Sequence, residues 1–243
     1  MIKTLILKLG SFLTFNRKSK VIYYHDISGS QIYTDMGTPV SLFEKHIEIL
    51  KQERFEIVSE ITKPTNQIQI CFDDGSRGIY DHRKYLIENN IKPTVFLAIS
   101  LIGQQGYLLE SEIRALQKEG FRFQSHSVSH QNLTSFDNKE LAFELEHSKQ
   151  YLEALLNEPV EEICFPIGYF SDRVINASIK AGYKKLYSSL PGNYRINNGN
   201  PIKYRNLVQF LSPEQFKAVL FGGMSLLRSW YRRTHFIKTD PIR

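Results

Sequence analysis

Two adjacent carboxylates, Asp73 and Asp74, followed by Gly75, close the strand-like run Gln67-Ile68-Gln69-Ile70-Cys71-Phe72. Carboxylates at the end of a buried strand are costly unless they are paired or bind a metal. Further along stand two histidines four apart, His126 and His130. One carboxylate and two imidazoles make a ligand set for a divalent metal, with positions left open for water and substrate, which is the catalytic pattern. A metal so held acidifies water and polarises a carbonyl. In this reading Asp74 completes the ligand set, and Asp73 is left as the base that takes a proton from water. The spacing of the histidines predicts one helical turn with both rings on the same side. A further titratable group must protonate a leaving nitrogen, and His25 is the candidate.

Each of these features has a plainer reading when taken alone. Asp-Asp-Gly is most often a turn, a histidine pair four apart is as often a surface feature, and a lone His25 reads as structural. Together, at successive strand ends, they read as a metal site. His46, His82 and His147 fall inside helical segments and His235 in a basic tail, so they read as packed or solvated.

The elements that must position these groups alternate. Strand patterns occupy 21–24, 67–72, 93–99, 121–125, 162–165, 185–190 and 203–208. Helical patterns occupy 41–55, 79–89, 108–119, 139–156 and 171–181. This alternation predicts an α/β fold of parallel strands covered by helices, with the number of units favouring a barrel. Functional groups then gather beyond the C-terminal ends of the strands. His25, the Asp73–Asp74 pair, the histidine pair and Phe165-Pro166-Ile167-Gly168 all fall at such ends.

The 243 residues are 42% apolar and 23% charged, an ordinary globular composition with length for one large core. No linker or repeat divides the chain. The reading is one domain over 21–210, with an apolar, basic extension over 1–20 and a basic amphipathic helix and tail over 211–243. Cys71 and Cys164 are too few for a disulfide framework and read as buried, reduced thiols.

The net charge of +6 belongs to the two ends, because the body over 21–210 is slightly acidic. A nucleic-acid binder would spread basic residues over a recognition face, so no nucleic-acid partner is expected. Basic ends point instead to peripheral contact with an anionic membrane. Residues 1–15 are too short to span a bilayer, and Lys8 interrupts them where a signal peptide would be apolar. The expected location is cytoplasmic or at a membrane surface rather than secreted. A helix is predicted from Ser212-Pro213-Glu214, with Phe216, Val219, Leu220, Leu227 and Trp230 on one face and Lys217, Arg228 and Arg232 on another. It suits either an interfacial helix or packing on the domain.

Phe72-Asp73-Asp74-Gly75, His126-Ser127-Val128-Ser129-His130 and Phe165-Pro166-Ile167-Gly168-Tyr169 together resemble the motifs of the polysaccharide deacetylase (NodB-homology) family, carbohydrate esterase family 4, over about residues 21–210. The resemblance implies a distorted (β/α) barrel. It implies removal of acetyl groups, usually from N-acetylglucosamine in a glycan, with a divalent metal, zinc being the first expectation. It implies Asp73 as base, Asp74, His126 and His130 as ligands, and the Ile167 N–H as an oxyanion donor, with Pro166 and Tyr169 beside it. Two departures stand out. Cys164 occupies the position where the family often has an Arg that pairs with the base. The Asp-Trp motif and the C-terminal Leu-x-His that supplies the acid are missing. Tyr24-His25-Asp26 is similar to the first-strand motif of the poly-β-1,6-N-acetylglucosamine deacetylase branch, which implies His25 as the acid. Arg205 is the candidate to orient Asp73 in place of the missing Arg. The glycan, its linkage, the identity of the metal and the oligomeric state stay open. So do a lipid-linked glycan substrate, an O-acetyl ester, and a weakly active glycan-binding or assembly module.

Overall fold

The computed structural model describes residues 2–196 and 199–236. The chain runs α1 (Ile2–Leu13), β1 (Lys20–Tyr24), β2 (Asp26–Ser28), β3 (Gly37–Pro39), α2 (Val40–Gln52), β4 (Glu56–Val58), β5 (Gln67–Phe72), α3 (Gly78–Asp81), α4 (Arg83–Glu88), β6 (Thr94–Leu97), α5 (Glu110–Lys118) and β7 (Arg122–Ser125). It continues through α6 (Asn138–Leu156), β8 (Glu162–Cys164), α7 (Asp172–Lys180), β9 (Lys185–Tyr187), β10 (Ile202–Lys203), β11 (Arg205–Leu207), α8 (Pro213–Leu220) and α9 (Arg228–His235).

One parallel sheet in the order β10-β9-β8-β7-β6-β5-β1-β11 organises the molecule, with β4 added beside the first half of β5. All six residues of β5 are buried. Helices cover the sheet, as a parallel sheet requires. The two ends of the sheet come from one segment, since β10 and β11 are separated only by Tyr204. Ser188 N–H donates to Lys203 O (3.0 Å) and Arg205 N–H to Leu190 O (3.0 Å), while β11 pairs with β1. The sheet therefore rolls toward closure through this segment, which is the distorted α/β arrangement expected.

Several boundaries differ from the sequence reading. The helix expected over 79–89 is two short helices broken at His82. The strand expected over 203–208 is split at Tyr204, where the chain passes from one end of the sheet to the other. The C-terminal helix does not run continuously. Gly222 takes φ +101°, a left-handed conformation suited to glycine, and a 3-10 turn over Gly223–Leu227 intervenes before α9. Phe216, Val219 and Leu220 are buried on the domain, so this part of the helix packs, while Trp230 lies apart from that face. Residues 237–243 of the predicted tail lie outside the described residues.

Residues 2–13 form a helix that the sequence reading did not assign. Leu7 is buried, and α1 packs against α8 and the turn after it. Leu5, Leu9, Phe12 and Leu13 on the other side are exposed. His46 is packed, as expected. Tyr24 Oη lies 3.0 Å from its Nδ1 and Leu211 O lies 2.9 Å from its Nε2. Burial lowers its pKa to about 4, so it is neutral.

Candidate metal centre and active site

The strand register converges the chemical groups on one end of the sheet. Tyr24 of β1 pairs with Phe72 of β5, and Asp73 N–H donates to Tyr24 O at 3.0 Å. His25 and Asp73 therefore leave neighbouring strands side by side. A cavity of about 520 Å³ opens there, lined by His25, Asp73, Asp74, His126, His130 and Ile167, among others.

Asp74, His126 and His130 each offer one ligand atom, all within 4.8 Å of one another. Asp74 Oδ1 lies 2.9 Å from His130 Nε2 and 3.4 Å from His126 Nε2, yet it is buried and accepts no well-directed hydrogen bond. Burial raises the Asp74 pKa, and the two imidazoles, when protonated and donating to it, more than offset this and hold it well below the carboxylate range. His126 Nδ1 lies 2.7 Å from the Cys164 carbonyl oxygen. A carbonyl only accepts, so Nδ1 carries the hydrogen, and in the neutral ring the Nε2 lone pair faces Asp74. A carboxylate and an imidazole lone pair pointing at each other fit a shared cation, and the backbone carbonyl behind His126 supplies the support that metal-binding histidines have.

A second group, Asp73, His126 and Cys164, is equally close but suits a metal poorly. Both Asp73 oxygens are taken by Arg205. Burial raises the Cys164 thiol pKa well above its ordinary value, so Cys164 offers a protonated sulfur beside a guanidinium.

The histidine pair is not on a helical turn, which corrects the spacing argument. Ser127 and His130 have left-handed backbones (φ +66° and +58°), and these two bends bring the rings to 4.9 Å between centroids. The loop is clamped by Glu144 of α6, whose Oε2 accepts from Val128 N–H (2.9 Å) and Ser129 N–H (3.0 Å). Nothing in the local sequence around Glu144 marked this role.

Asp73 is held by Arg205 of β11 through two bonds, Nη1 to Oδ1 at 2.6 Å and Nη2 to Oδ2 at 2.8 Å. Both side chains are buried. Burial raises the carboxyl pKa, and Arg205 overrides it, so the net shift is downward. The guanidinium also lies 2.8 Å from Cys164 Sγ and 4.0 Å from the Tyr23 ring centroid. Arg205 thus lies against Asp73 and beside Cys164.

His25 Nδ1 lies 2.5 Å from Gln209 Oε1. The amide oxygen accepts, which leaves Nε2 as the nitrogen free to exchange a proton. Gln209 is buried and stands two residues beyond the end of β11; its place near a strand end was the only signal available. Asp26, next to His25, is fully buried, and its carboxyl faces the N–H groups of Ile27 and Gly78 without well-aligned hydrogen bonds. Burial pushes its pKa up to about 7.

Ile167 has φ +60° and is 56% exposed at the cavity wall. A β-branched residue in that conformation is strained. Such strain persists where the surroundings impose it, and here it presents the backbone to the cavity. Pro166 is buried behind it. Tyr169 does not line the cavity and instead stacks on His235 at 5.3 Å. His235, read as a tail residue, is itself part of the cavity wall with Trp230 and Tyr231 of α9.

Residues 60–186 match the model of a family described as polysaccharide deacetylase. YxkH of Bacillus subtilis is 24% identical over 186 residues, covering 72% of this chain and 66% of its own length. Poly-beta-1,6-N-acetyl-D-glucosamine N-deacetylase of Staphylococcus aureus is 24% identical over 204 residues, covering 74% of this chain and 67% of its own. The chain thus spans about two thirds of the length of these relatives. The fold is similar to that of the Streptococcus pyogenes deacetylase PplD (TM-score 0.72, 21% identity, 84% of this chain and 98% of that one). With more than half of its residues matched by the family model, the chain belongs to the polysaccharide deacetylase family.

Proposed function

We propose that this chain is a metal-dependent N-deacetylase that hydrolyses the acetamide of N-acetylglucosamine-type sugars in a polysaccharide or glycan intermediate, releasing acetate. The observation that carries this reading is the cluster of Asp74, His126 and His130 beside the Arg205-paired Asp73 in one cavity. The poly-β-1,6-N-acetylglucosamine deacetylase among the relatives supports the sugar class.

A divalent cation held by Asp74, His126 and His130, with zinc the first expectation for a site of two imidazoles and a carboxylate, would acidify water and polarise the acetyl carbonyl. Asp73 takes the proton from the attacking water. Arg205 keeps that carboxylate ionised and fixed in orientation. The Ile167 N–H, exposed by its left-handed backbone, donates to the developing oxyanion. His25, with Nδ1 fixed by Gln209, donates from Nε2 to the departing amine nitrogen. Water adds to the carbonyl carbon, the C–N bond breaks, and acetate and a free amine result. Pro166 holds the turn that carries Ile167.

The test is acetate release over a panel of N-acetylated and O-acetylated glycans, with metal content measured on the same sample and release repeated after chelation. Metal-dependent release from N-acetylglucosamine oligomers is expected. Release that survives complete removal of metal, or none from any N-acetylated glycan by metal-loaded protein, contradicts the reading.

One observation favours a membrane-bound or lipid-linked substrate as a second reading. The outward face of α1 exposes Leu5, Leu9, Phe12 and Leu13, and Lys18 and Arg228 border the same surface hollow as Phe12 and Leu13. An apolar face rimmed by cations suits the boundary of an anionic bilayer. Among the described residues no helix is long and apolar enough to cross a membrane. Flotation with anionic vesicles, before and after replacing Leu9 and Phe12 by Ser, separates the cases: unchanged flotation removes the second reading.

A further inference from the structure

We propose that Trp230 is a sugar-stacking platform at the mouth of the catalytic cavity, so that the protein binds a glucosamine-type chain across more than the residue being deacetylated. This rests on the deacetylase reading for the identity of the sugar.

Helix α9 contributes no buried residue to the core. It nevertheless reaches the catalytic cavity, and three of its residues, Trp230, Tyr231 and His235, form part of the wall around Asp73, Asp74 and the histidine pair. It is anchored there rather than trailing: Phe170 N–H donates to His235 O at 3.1 Å, and the Phe170 and Phe236 rings lie 5.3 Å apart. His235 is stacked between Tyr169 (5.3 Å, 23°) and Tyr231 (5.4 Å, 19°). Gly168 makes room, since a Cβ there would meet His235 Cδ2 at 3.2 Å and Ser189 Oγ at 2.5 Å.

Trp230 ends this row. Its ring meets Tyr231 edge-on at 5.0 Å and 89°, and the residue stays 59% exposed. An indole that stands perpendicular to the Tyr231 ring and is more than half exposed has surface left to pack. The ligand it suits is flat on one side, apolar there and polar elsewhere. A pyranose ring has that character, with polarised C–H bonds on one face and hydroxyls at its rim. The free amine of a deacetylated sugar is cationic at neutral pH and adds attraction to the ring face. The cavity volume of about 520 Å³ also lies within the range of sites that enclose whole ligands, roughly 300–1,000 Å³, and an acetamido group alone fills little of it.

The chain contains a single tryptophan, so emission excited at the red edge, where its tyrosines do not absorb, reports on Trp230 alone. The full chain is titrated with the monomer, dimer and tetramer of β-1,6-linked glucosamine and N-acetylglucosamine, and separately with phosphatidylglycerol vesicles. A saturable emission change is expected with the oligomers, at lower concentration for the tetramer than the monomer. Trp230→Ala should raise the KM for the tetramer roughly ten-fold, the scale of one aromatic contact, with kcat little changed, and Trp230→Phe should restore most of it. Emission that stays constant while acetate is released overturns the platform and leaves the deacetylase reading intact. An emission change without acetate release keeps the platform and removes that reading. A shift with vesicles but not with glycans overturns the platform and assigns Trp230 to a membrane contact.

Discussion

Arg205 and Asp73 come from strands far apart in sequence and meet in a buried two-point ion pair, 2.6 and 2.8 Å long. The carboxylate lies within 4.8 Å of a ring nitrogen of His126, which also belongs to the Asp74 cluster. The pairing gives Asp73 a fixed orientation and a low pKa, and Cys164 packs against the same guanidinium. A carboxylate so held is ionised at every pH near neutral, so its readiness to accept a proton depends on an acidified water.

Replacing Arg205 should therefore act through Asp73. Arg205→Lys keeps a positive charge but loses the two-point geometry, so the Asp73 pKa rises. The acidic limb of the pH profile of kcat/KM should move to higher pH, with more activity lost in acid than in mild alkali. Arg205→Met leaves a buried charge unpaired and should destabilise the fold by about 3–5 kcal/mol, measured by chemical denaturation.

His25 is expected to matter only where the leaving group needs a proton. His25→Asn should lower kcat on an N-acetyl sugar by about 10²–10⁴-fold, with a much smaller loss on an activated acetate ester whose leaving group departs as an anion. Equal losses on both substrates would take the acid role from His25. Gln209→Leu should follow the same pattern more weakly, because it removes only the acceptor for Nδ1–H.

Glu144 touches neither substrate nor candidate ligands, yet it fixes the loop between His126 and His130. Glu144→Gln replaces charged with neutral hydrogen bonding. Metal affinity should fall by about 10–100-fold, measured by competition with a chelator, while far-ultraviolet circular dichroism stays native.

The sequence made the ends of the buried strands visible, and Gln67–Phe72 forms over the expected residues. The three motifs do come together at those ends, because residue type and strand placement suffice for that. What local spacing could not reveal were contacts across the chain. Gln209 meets His25 over a separation of 184 residues, and Glu144 reaches the histidine loop from the middle of a helix. The four-residue spacing of the histidines suited a helix and a doubly bent loop equally, and left-handed Ser127 and His130 decided it. His235 looked like a tail residue and Trp230 like one face of a continuing helix, because only the folded chain shows that α9 returns to the cavity.

Asp26 sets an opposite pH trend from most carboxylates. Its folded pKa is about 7 against an ordinary 3.8, so the native state holds a proton that the unfolded state loses. Its contribution is fully present below about pH 4 and is lost as pH rises through 7. Asp26→Asn should flatten this slope. At roughly pH 8 the variant should be more stable than the parent by a few kcal/mol, on the basis of about 1.4 kcal/mol per pKa unit, with little gain near pH 4. Thermal unfolding at both values checks it.

In the proposed reaction the two adjacent carboxylates do different work. The most direct test of this division is metal stoichiometry and acetate release measured together on Asp73→Asn and Asp74→Asn. Asp73→Asn should retain metal at the parent level and release no acetate above background, whereas Asp74→Asn should lose both. Parent-like acetate release by Asp73→Asn, or full metal content and activity in Asp74→Asn, would contradict it.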